Sequence, residues 1–234
     1  MRTVRSVRTV RGMTTHQAGR AGTFSRKMQL HSLLRATGWA AAAVCAGALA
    51  LLLLTRHNYQ GALFLAVAAA ICGAASHHHV GRAGKQNRGA KSEQLVATAL
   101  SKAGCFYVIN NAVLPGVSGD ADHVVLHPRG LCVVETKSGG GQVRINEDGK
   151  LVTGQGRVVP GDPINQVLVQ AGALARLTDA RVTAIVCVPW MKNKPFRSKG
   201  VWICGASQLA WVLRQVDGHL TSQTATQLAN RIRR

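Results

Sequence analysis

Residues 119–137 read GDADHVVLHPRGLCVVETK, and this stretch decides the fold. It contains two short apolar runs, 122–127 and 131–137, joined by a Pro-Arg-Gly turn at 128–130. Nearly continuous apolar runs of this length, bounded by turn residues, predict strands that are buried on both faces of a sheet. Because the turn is short, we expect the two strands to be antiparallel neighbours.

Charged side chains stand at the outer ends of these two predicted strands. Asp122 begins the first strand, and Glu135 and Lys137 end the second. Since side chains alternate along a strand, Glu135 and Lys137 share a face while Thr136 points away. Antiparallel pairing would therefore bring Asp122 beside Glu135. Two neighbouring carboxylates suit a hard cation such as Mg²⁺, and without a cation they would repel each other or share a proton.

An ordinary surface ion pair between Glu135 and Lys137 is the alternative reading of this strand end. The LCVV run at 131–134 argues against it, because a surface strand should alternate between apolar and polar residues. Asp120 has the same strand parity as Asp122 and is interpreted as a loop residue. Gln170 and His123 are interpreted as structural residues.

The segments around this stretch read as a compact α/β domain. Strand patterns and helix patterns alternate along the chain. The helix beginning at Pro163 has Asp162 as its candidate N-cap. The expected strands are 105–114, 122–127, 131–137, 181–188 and 201–204, and the expected helices are 90–104, 163–177, 206–215 and 222–232.

Four segments, in this order, resemble the PD-(D/E)xK nuclease core and more closely the nuclease-related domain family, NERD. They are GAKSE at 89–93, GDADHVV at 119–125, GLCVVETK at 130–137 and DPINQ at 162–166. Each segment alone is a weak signal, but four of them in sequence over about a hundred residues form a much stronger one. The family often has Asn where this chain has Asp162, and this departure does not touch the predicted site.

The resemblance implies a restriction-endonuclease-like core, a mixed central sheet flanked by helices, over residues 89–234. It also implies a nuclease that hydrolyses phosphodiester bonds, DNA being the favoured substrate, with Mg²⁺ or Mn²⁺ as cofactor. Asp122 and Glu135 would hold the metal, helped by the Thr136 carbonyl. Lys137 would orient or deprotonate the attacking water and stabilise the pentacovalent phosphate. An electrostatic role is favoured over a role as the base.

Two further catalytic residues follow from the same resemblance. Glu93, in the helix that precedes the first strand, would be an accessory carboxylate. Its position early in a helix is also where an acid is favoured by the helix dipole alone. Gln166 would contact the phosphate or the water from the facing helix.

The first third of the chain is basic and contains no acid. Residues 1–92 contain 13 Lys and Arg and no Asp or Glu, out of a net charge of +20 for the chain. Such a charge favours anionic partners, nucleic acid or an anionic membrane surface. Residues 1–35 are predicted to be a disordered cytoplasmic tail, with a nucleic-acid or lipid-headgroup arm as the alternative.

Two apolar runs, 36–54 and about 59–76, predict a transmembrane hairpin in the lipid bilayer. The first has 19 residues without a charge, a length of ~28 Å that matches the ~30 Å hydrocarbon core. Buried soluble helices are the alternative for either run, and a signal peptide is disfavoured because the basic lead is too long. Residues 77–88, with His77, His78 and His79, are predicted to be a basic linker.

The distribution of Lys and Arg predicts the orientation of this hairpin. Basic residues lie before the first run and after the second, while the loop between them has only Arg56. By the positive-inside rule both termini and the nuclease-like domain should be cytoplasmic, so we expect a multi-pass protein of the cell membrane. The four cysteines beyond residue 90 are expected to be buried reduced thiols, which agrees with that compartment.

The sequence thus favours a membrane-anchored, metal-dependent nuclease. The alternative is a catalytically inactive membrane tether that binds nucleic acid or a protein partner with the same fold. A basic loop with aromatic residues, PWMKNKPFRSKG at 189–200, suits contact with a phosphate backbone, and a solvated loop without a partner is the alternative.

Overall fold

The computed structural model describes residues 6–10, 13–18 and 23–233 of the 234-residue chain. Its helices are α1 Thr23–Thr55, α2 Tyr59–Ser101, α3 Pro163–Thr178, α4 Leu209–Arg214 and α5 Ser222–Ile232. Its strands are β1 Ser6–Val10, β2 Met13–Ala18, β3 Tyr107–Val113, β4 Asp120–His127, β5 Gly130–Thr136, β6 Gly140–Gly141, β7 Val143–Ile145, β8 Leu151–Thr153, β9 Val182–Cys187, β10 Trp190–Met191, β11 Phe196–Ser198 and β12 Val201–Cys204.

The central sheet is mixed, with strand order β1-β2-β3-β4-β5-β9-β12-β11. The hairpin pairs β3–β4 and β4–β5 are antiparallel, whereas β5–β9 and β9–β12 are parallel. The carboxyl ends of β5, β9 and β12 therefore lie along one edge of the sheet. This edge is where the last residues of β5, Glu135 and Thr136, lie beside Val186 and Cys187 of β9.

Apolar layers cover both faces of this sheet. On one face, alternate strand residues such as Val124, Val133 and Val186 pack with Val167 and Leu174 of α3. On the other face, the intervening strand residues pack with α2 and α4; this cluster comprises Val96, Leu100, Cys105, Val108, Val125, Cys132, Val134, Ile185, Cys187, Cys204, Ala206, Leu209, Val212, Leu213 and Val216. The prediction of strands buried on both faces is confirmed, and so is the α/β fold class with a mixed sheet flanked by helices.

Residues 22–90 form a second compact unit, a pair of long helical segments. The connection at 56–58 contains His57 at φ 59°, and Asn58 Oδ1 accepts a hydrogen bond from the Gly61 N–H at 3.0 Å. Ser76 Oγ donates to the Ala36 carbonyl at 3.0 Å, so the two helices run antiparallel. Two long apolar helices thus precede the sheet-containing domain, as predicted.

These helices could span a membrane by length and composition, within Arg26–Thr55 and Tyr59–Ser101. Only 6% of the most apolar stretch of each is buried. Large side chains such as Val44, Leu51, Leu63 and Phe64 are exposed along them.

The structure differs from the sequence prediction in two segments of the front half. Residues 77–88 were expected to be a linker, but they are part of the continuous helix α2. The segment contains glycines at 81 and 84, yet no proline interrupts the helix and each Gly costs it only about 1 kcal/mol.

The second difference concerns the predicted disordered tail, residues 1–35. Parts of it, residues 1–5, 11–12 and 19–22, lie outside the described residues. Within the rest, Ser6–Val10 and Met13–Ala18 form an antiparallel pair, and β2 pairs in parallel with β3. Backbone pairing with the open edge of β3, which the sequence pattern does not show, explains this difference.

Candidate active site

The antiparallel pair β4–β5 brings Asp122 to Glu135. The register continues from His123 opposite Val134, so Asp122 and Glu135 face each other where the two strands begin to separate. There Asp122 Oδ2 accepts a hydrogen bond from the Thr136 N–H at 2.7 Å. This bond holds the Asp122 carboxylate at the end of β5, against the strand that supplies Glu135.

Lys137 completes the strand end with a cation. Its Nζ lies 2.8 Å from Glu135 Oε1, and its backbone N–H donates to the Cys187 carbonyl of β9 at 3.0 Å. The Glu135 side chain is 3% exposed and that of Lys137 is 21% exposed. A buried carboxylate paired with a half-buried ammonium is not the exposed surface pair that the alternative reading required.

Helix α3 supplies two glutamines to the same place. The helix begins because Pro163 fits the first turn and because the Asp162 side chain accepts from the Asn165 N–H at 3.3 Å. Four residues after its cap, Gln166 Oε1 accepts from Lys137 Nζ at 2.9 Å. Gln166 therefore contacts Lys137, and its contact with the phosphate or the water stays a prediction.

Gln170 makes a contact with Glu135 that was not predicted from the sequence. It lies one turn beyond Gln166, is buried, and its Nε2 donates to Glu135 Oε2 at 3.3 Å and to the Asp120 carbonyl at 3.4 Å. The spacing of four residues between the two glutamines, which puts both on one face of α3, was the available signal. Glu135 thus has Lys137 on one oxygen and Gln170 on the other.

The electrostatics of Asp122 show how crowded the carboxylates are. Burial raises the pKa of Asp122 well above its usual range, and the nearby Glu135 carboxylate raises it further. The Thr136 N–H opposes this shift, Glu93 adds to it, and Lys137 opposes it more weakly. The positive charge of Lys137 therefore does not offset the burial of Asp122 and its repulsion by the second carboxylate.

Glu93 approaches the site from α2 and is half-buried. The Glu93 carboxylate is near enough to Asp122 to contribute to the raised pKa of that residue. The structure therefore brings the five predicted site residues, Glu93, Asp122, Glu135, Lys137 and Gln166, to one region. Their catalytic roles stay predictions.

The donor set fits a hard divalent cation with few protein ligands. Over residues 6–10, 13–18 and 23–233, no group of three or more His, Cys, Asp or Glu side chains is placed to hold a metal ion. Asp122 and Glu135 nevertheless offer carboxylate oxygens, and Mg²⁺ is commonly bound by one or two carboxylates while it keeps several waters. A cation between them would also relieve the repulsion that raises the pKa of Asp122.

The basic segment 189–200 is not a single loop, as the sequence suggested, but contains β10 and β11. Arg197 lies over the Trp202 ring, 4.2 Å from its centroid, on the edge strand β11. The ammonium of Lys199 reaches the turn at Gly149. Trp190 and Lys192 lie a few residues after β9. Trp190 belongs to β10, which pairs with β6, the glycine segment that follows β5.

Comparison with known families agrees with this geometry. Residues 88–191 match the family described as NERD, nuclease-related domain. The matched segment contains all five predicted site residues, and the resemblance inferred from the four motifs is confirmed. No curated protein and no solved structure gives a significant match to the chain. The family match indicates a nuclease-like function and an interaction with nucleic acid.

Proposed function

We propose that this chain is a membrane-anchored, metal-dependent nuclease that hydrolyses phosphodiester bonds of nucleic acid, with DNA the favoured substrate. The observation that carries the proposal is the contact set around Glu135. One oxygen of this buried carboxylate lies 2.8 Å from Lys137 Nζ, and Asp122 lies beside it on β4. Buried carboxylates with a cationic neighbour, in a domain of a nuclease-related family, are a functional arrangement rather than a stabilising one.

Asp122 and Glu135 would hold Mg²⁺ or Mn²⁺, with the Thr136 carbonyl as a further oxygen ligand. When bound, the cation supplies Lewis-acid stabilisation of the phosphate charge and lowers the pKa of a coordinated water. The chain's own contribution is to fix the carboxylates before substrate arrives. The Thr136 N–H orients Asp122, and Gln170 orients Glu135 from the opposite side.

Lys137 and Gln166 would act on the phosphate. The Lys137 ammonium is partly exposed and is positioned by Glu135 and by Gln166, so it can stabilise negative charge that develops on the phosphate oxygens. Because Gln166 Oε1 accepts from Lys137, its amide nitrogen is left to donate toward a phosphate oxygen or the attacking water. Glu93 would assist as an accessory carboxylate.

The membrane part of the proposal is supported by the chain topology. Residues 13–18 pair with β3, so the chain leaves the sheet-containing unit, passes through two apolar helices and returns to the same unit. Such a path requires an even number of crossings. With basic residues on both flanks and Arg56 alone in the loop, both termini and the nuclease-like domain would face the cytoplasm at the cell membrane.

One observation favours the alternative, a non-catalytic tether that binds nucleic acid or a partner. The described part of the chain has no group of three metal-binding side chains, and Lys137 already neutralises one oxygen of Glu135. The experiment must therefore separate cleavage from binding.

The test uses the full chain in detergent or nanodiscs, with labelled single-stranded and double-stranded DNA and RNA. We expect cleavage with Mg²⁺ or Mn²⁺ and none with EDTA. Glu135→Gln should reduce the cleavage rate at least ~100-fold, since a lost ligand removes several kcal/mol of stabilisation. Glu147→Gln, at an exposed acid, is the matched control and should cleave normally.

Calorimetry with Mn²⁺ on the same samples decides between the two functions. Binding that is lost in Glu135→Gln, together with cleavage, supports the nuclease. Nucleic-acid binding that is independent of metal and unchanged in Glu135→Gln, with no cleavage by wild type, establishes the tether instead.

A further inference from the structure

Trp190 is a half-exposed aromatic residue at the edge of the sheet that holds the predicted site. Its side chain is 49% exposed, although the strand before it, β9, ends in four buried residues. Neighbouring Met191 is 6% exposed and belongs to the apolar core. The chain therefore buries Met191 and leaves about half of Trp190 exposed to solvent, and this exposed part gains no hydrophobic stabilisation from folding.

The backbone that carries Trp190 is held on several sides. Met191 N–H donates to the Val188 carbonyl at 2.9 Å, and Lys192 N–H donates to the Gly141 carbonyl at 2.8 Å. At Gly140 a Cβ atom would lie 2.7 Å from Trp190 Cβ, so glycine allows the close approach of these two backbones. The ring is thus presented from a fixed position, which lowers the entropic cost of using it as a contact surface.

Trp190 also lies close to the site. Gly140, its strand partner, is three residues beyond Lys137. Three residues span at most ~11 Å, and paired strands are ~5 Å apart, so the Cα atoms of Lys137 and Trp190 are at most about 16 Å apart. A polynucleotide whose phosphate lies at Lys137 can therefore reach the indole within a few nucleotides.

The charge beside Trp190 suits a phosphate backbone. Lys192 and Lys194 follow it and are exposed. No Asp or Glu occurs between Asp179 and Asp217 in the sequence. Arg197 and Lys199, by contrast, lie against Trp202 and Gly149, whereas Lys192 and Lys194 are exposed cations two and four residues after Trp190 in the sequence.

We propose that Trp190, with Lys192 and Lys194, is a stacking platform that selects single-stranded nucleic acid, or the unpaired end of a duplex, for the site. A base can stack on an exposed indole only if its face is free, and in a duplex both faces are covered by neighbouring base pairs. The inference rests on the proposed function and names the form of nucleic acid that the same site takes.

The test measures binding in a cleavage-deficient background, so that it stands apart from the nuclease assay. The full chain with Glu135→Gln is titrated in EDTA with labelled oligo(dT) and with a long linear blunt-ended duplex, which has no unpaired bases. Trp190→Ala should weaken oligo(dT) binding roughly 10- to 100-fold, as expected for one lost base stack, and change duplex binding by less than about threefold. Trp190→Phe should restore most of the oligo(dT) affinity.

Two control variants test whether the loss of oligo(dT) affinity is specific to Trp190 and how the neighbouring lysines contribute. Trp211→Ala removes another exposed tryptophan, which lies on α4 and contacts Trp202 of β12. This variant should leave both affinities unchanged. Replacing Lys192 and Lys194 by Gln should reduce the salt dependence for both oligo(dT) and the duplex.

The proposal is overturned if Trp190→Ala weakens the two forms equally or neither of them. It is also overturned if the only loss is in binding to anionic lipid vesicles, which would make Trp190 a membrane contact. If the protein binds oligo(dT) through Trp190 but cleaves no nucleic acid, the stacking site stands as a binding site and the proposed nuclease activity is wrong.

Discussion

At the scale of single residues, the site depends on how Glu135 is held. Lys137 contacts one of its oxygens and Gln170 the other, while the side chain of Gln166 contacts Lys137. The two glutamines lie one turn apart on α3 and have the same chemistry. They differ in what they face, a carboxylate for Gln170 and an ammonium for Gln166.

This difference predicts responses of different size to the same substitution. Gln170→Glu would place a second buried carboxylate about 3.3 Å from Glu135 Oε2, and we expect it to destabilise the domain by several kcal/mol at neutral pH. Gln166→Glu would face Lys137 Nζ and should change stability by less than ~1 kcal/mol. Chemical denaturation of both variants checks this, and equal losses would contradict the assigned contacts.

A second prediction at this scale concerns a buried histidine on the opposite face of β4. His123 is fully buried, its Nδ1 lies 2.7 Å from Asn110 Oδ1, and burial lowers its pKa from 6.5 to about 3. The unfolded chain therefore binds a proton between pH 6.5 and 3 that the folded chain does not. Stability should fall as the pH is lowered through this window and be independent of this group above it.

Stability measured against pH tests the contribution of His123. His123→Gln should reduce the slope between about pH 6 and 4 by up to ~1.4 kcal/mol per pH unit relative to wild type. An unchanged slope in His123→Gln would show that His123 is protonated in the folded state.

At the scale of elements, the start of α3 determines where both glutamines lie. Asp162 caps the helix with its side chain and has a left-handed backbone, φ 40° and ψ 69°. Asp162→Ala should therefore lose about 1 kcal/mol for the cap and a further penalty for the left-handed conformation. Asp162→Asn tolerates this conformation and keeps a side-chain oxygen for the Asn165 N–H, so its loss should be smaller.

Denaturation midpoints of Asp162→Ala and Asp162→Asn measure this difference. Cleavage assays on the same variants would show whether the start of α3 also positions Gln166. A loss of stability that is the same in the two variants would mean that neither the cap nor the backbone conformation matters.

Elements with a strong local signal could be predicted from the sequence, and those that depend on distant partners could not. The apolar runs and turn residues gave β4, β5 and their antiparallel pairing, and the Asp162–Pro163 pair gave the start of α3. Strands β1 and β2 were missed because their residues show no apolar stripe and their pairing with β3 is non-local. The contact of Gln170 with Glu135 was missed for the same reason, since it joins residues 35 apart in sequence.

At the scale of the whole molecule, the proposed topology can be tested by labelling single residues. We expect Asn58→Cys, in the turn between α1 and α2, to react with a membrane-impermeant maleimide in intact cells. Asp148→Cys, in an exposed turn of the domain, should react only after permeabilisation.

The native cysteines allow this experiment. Cys105, Cys132, Cys187 and Cys204 are buried, and burial raises the pKa of Cys132 to about 12, so these thiols react slowly. The unsubstituted chain is the control for Cys45 and Cys72. Labelling of Asp148→Cys in intact cells would place the domain outside and contradict the proposed orientation.

The pairing of β2 with β3 determines the order in which the sheet can be completed during synthesis. His16 lies opposite Tyr107, and both long helices lie between them in the sequence. At ~5–20 residues per second, the ribosome makes β2 roughly 5–20 s before its partner emerges. The first strands to be translated thus cannot join the sheet until both apolar helices and β3 have been made.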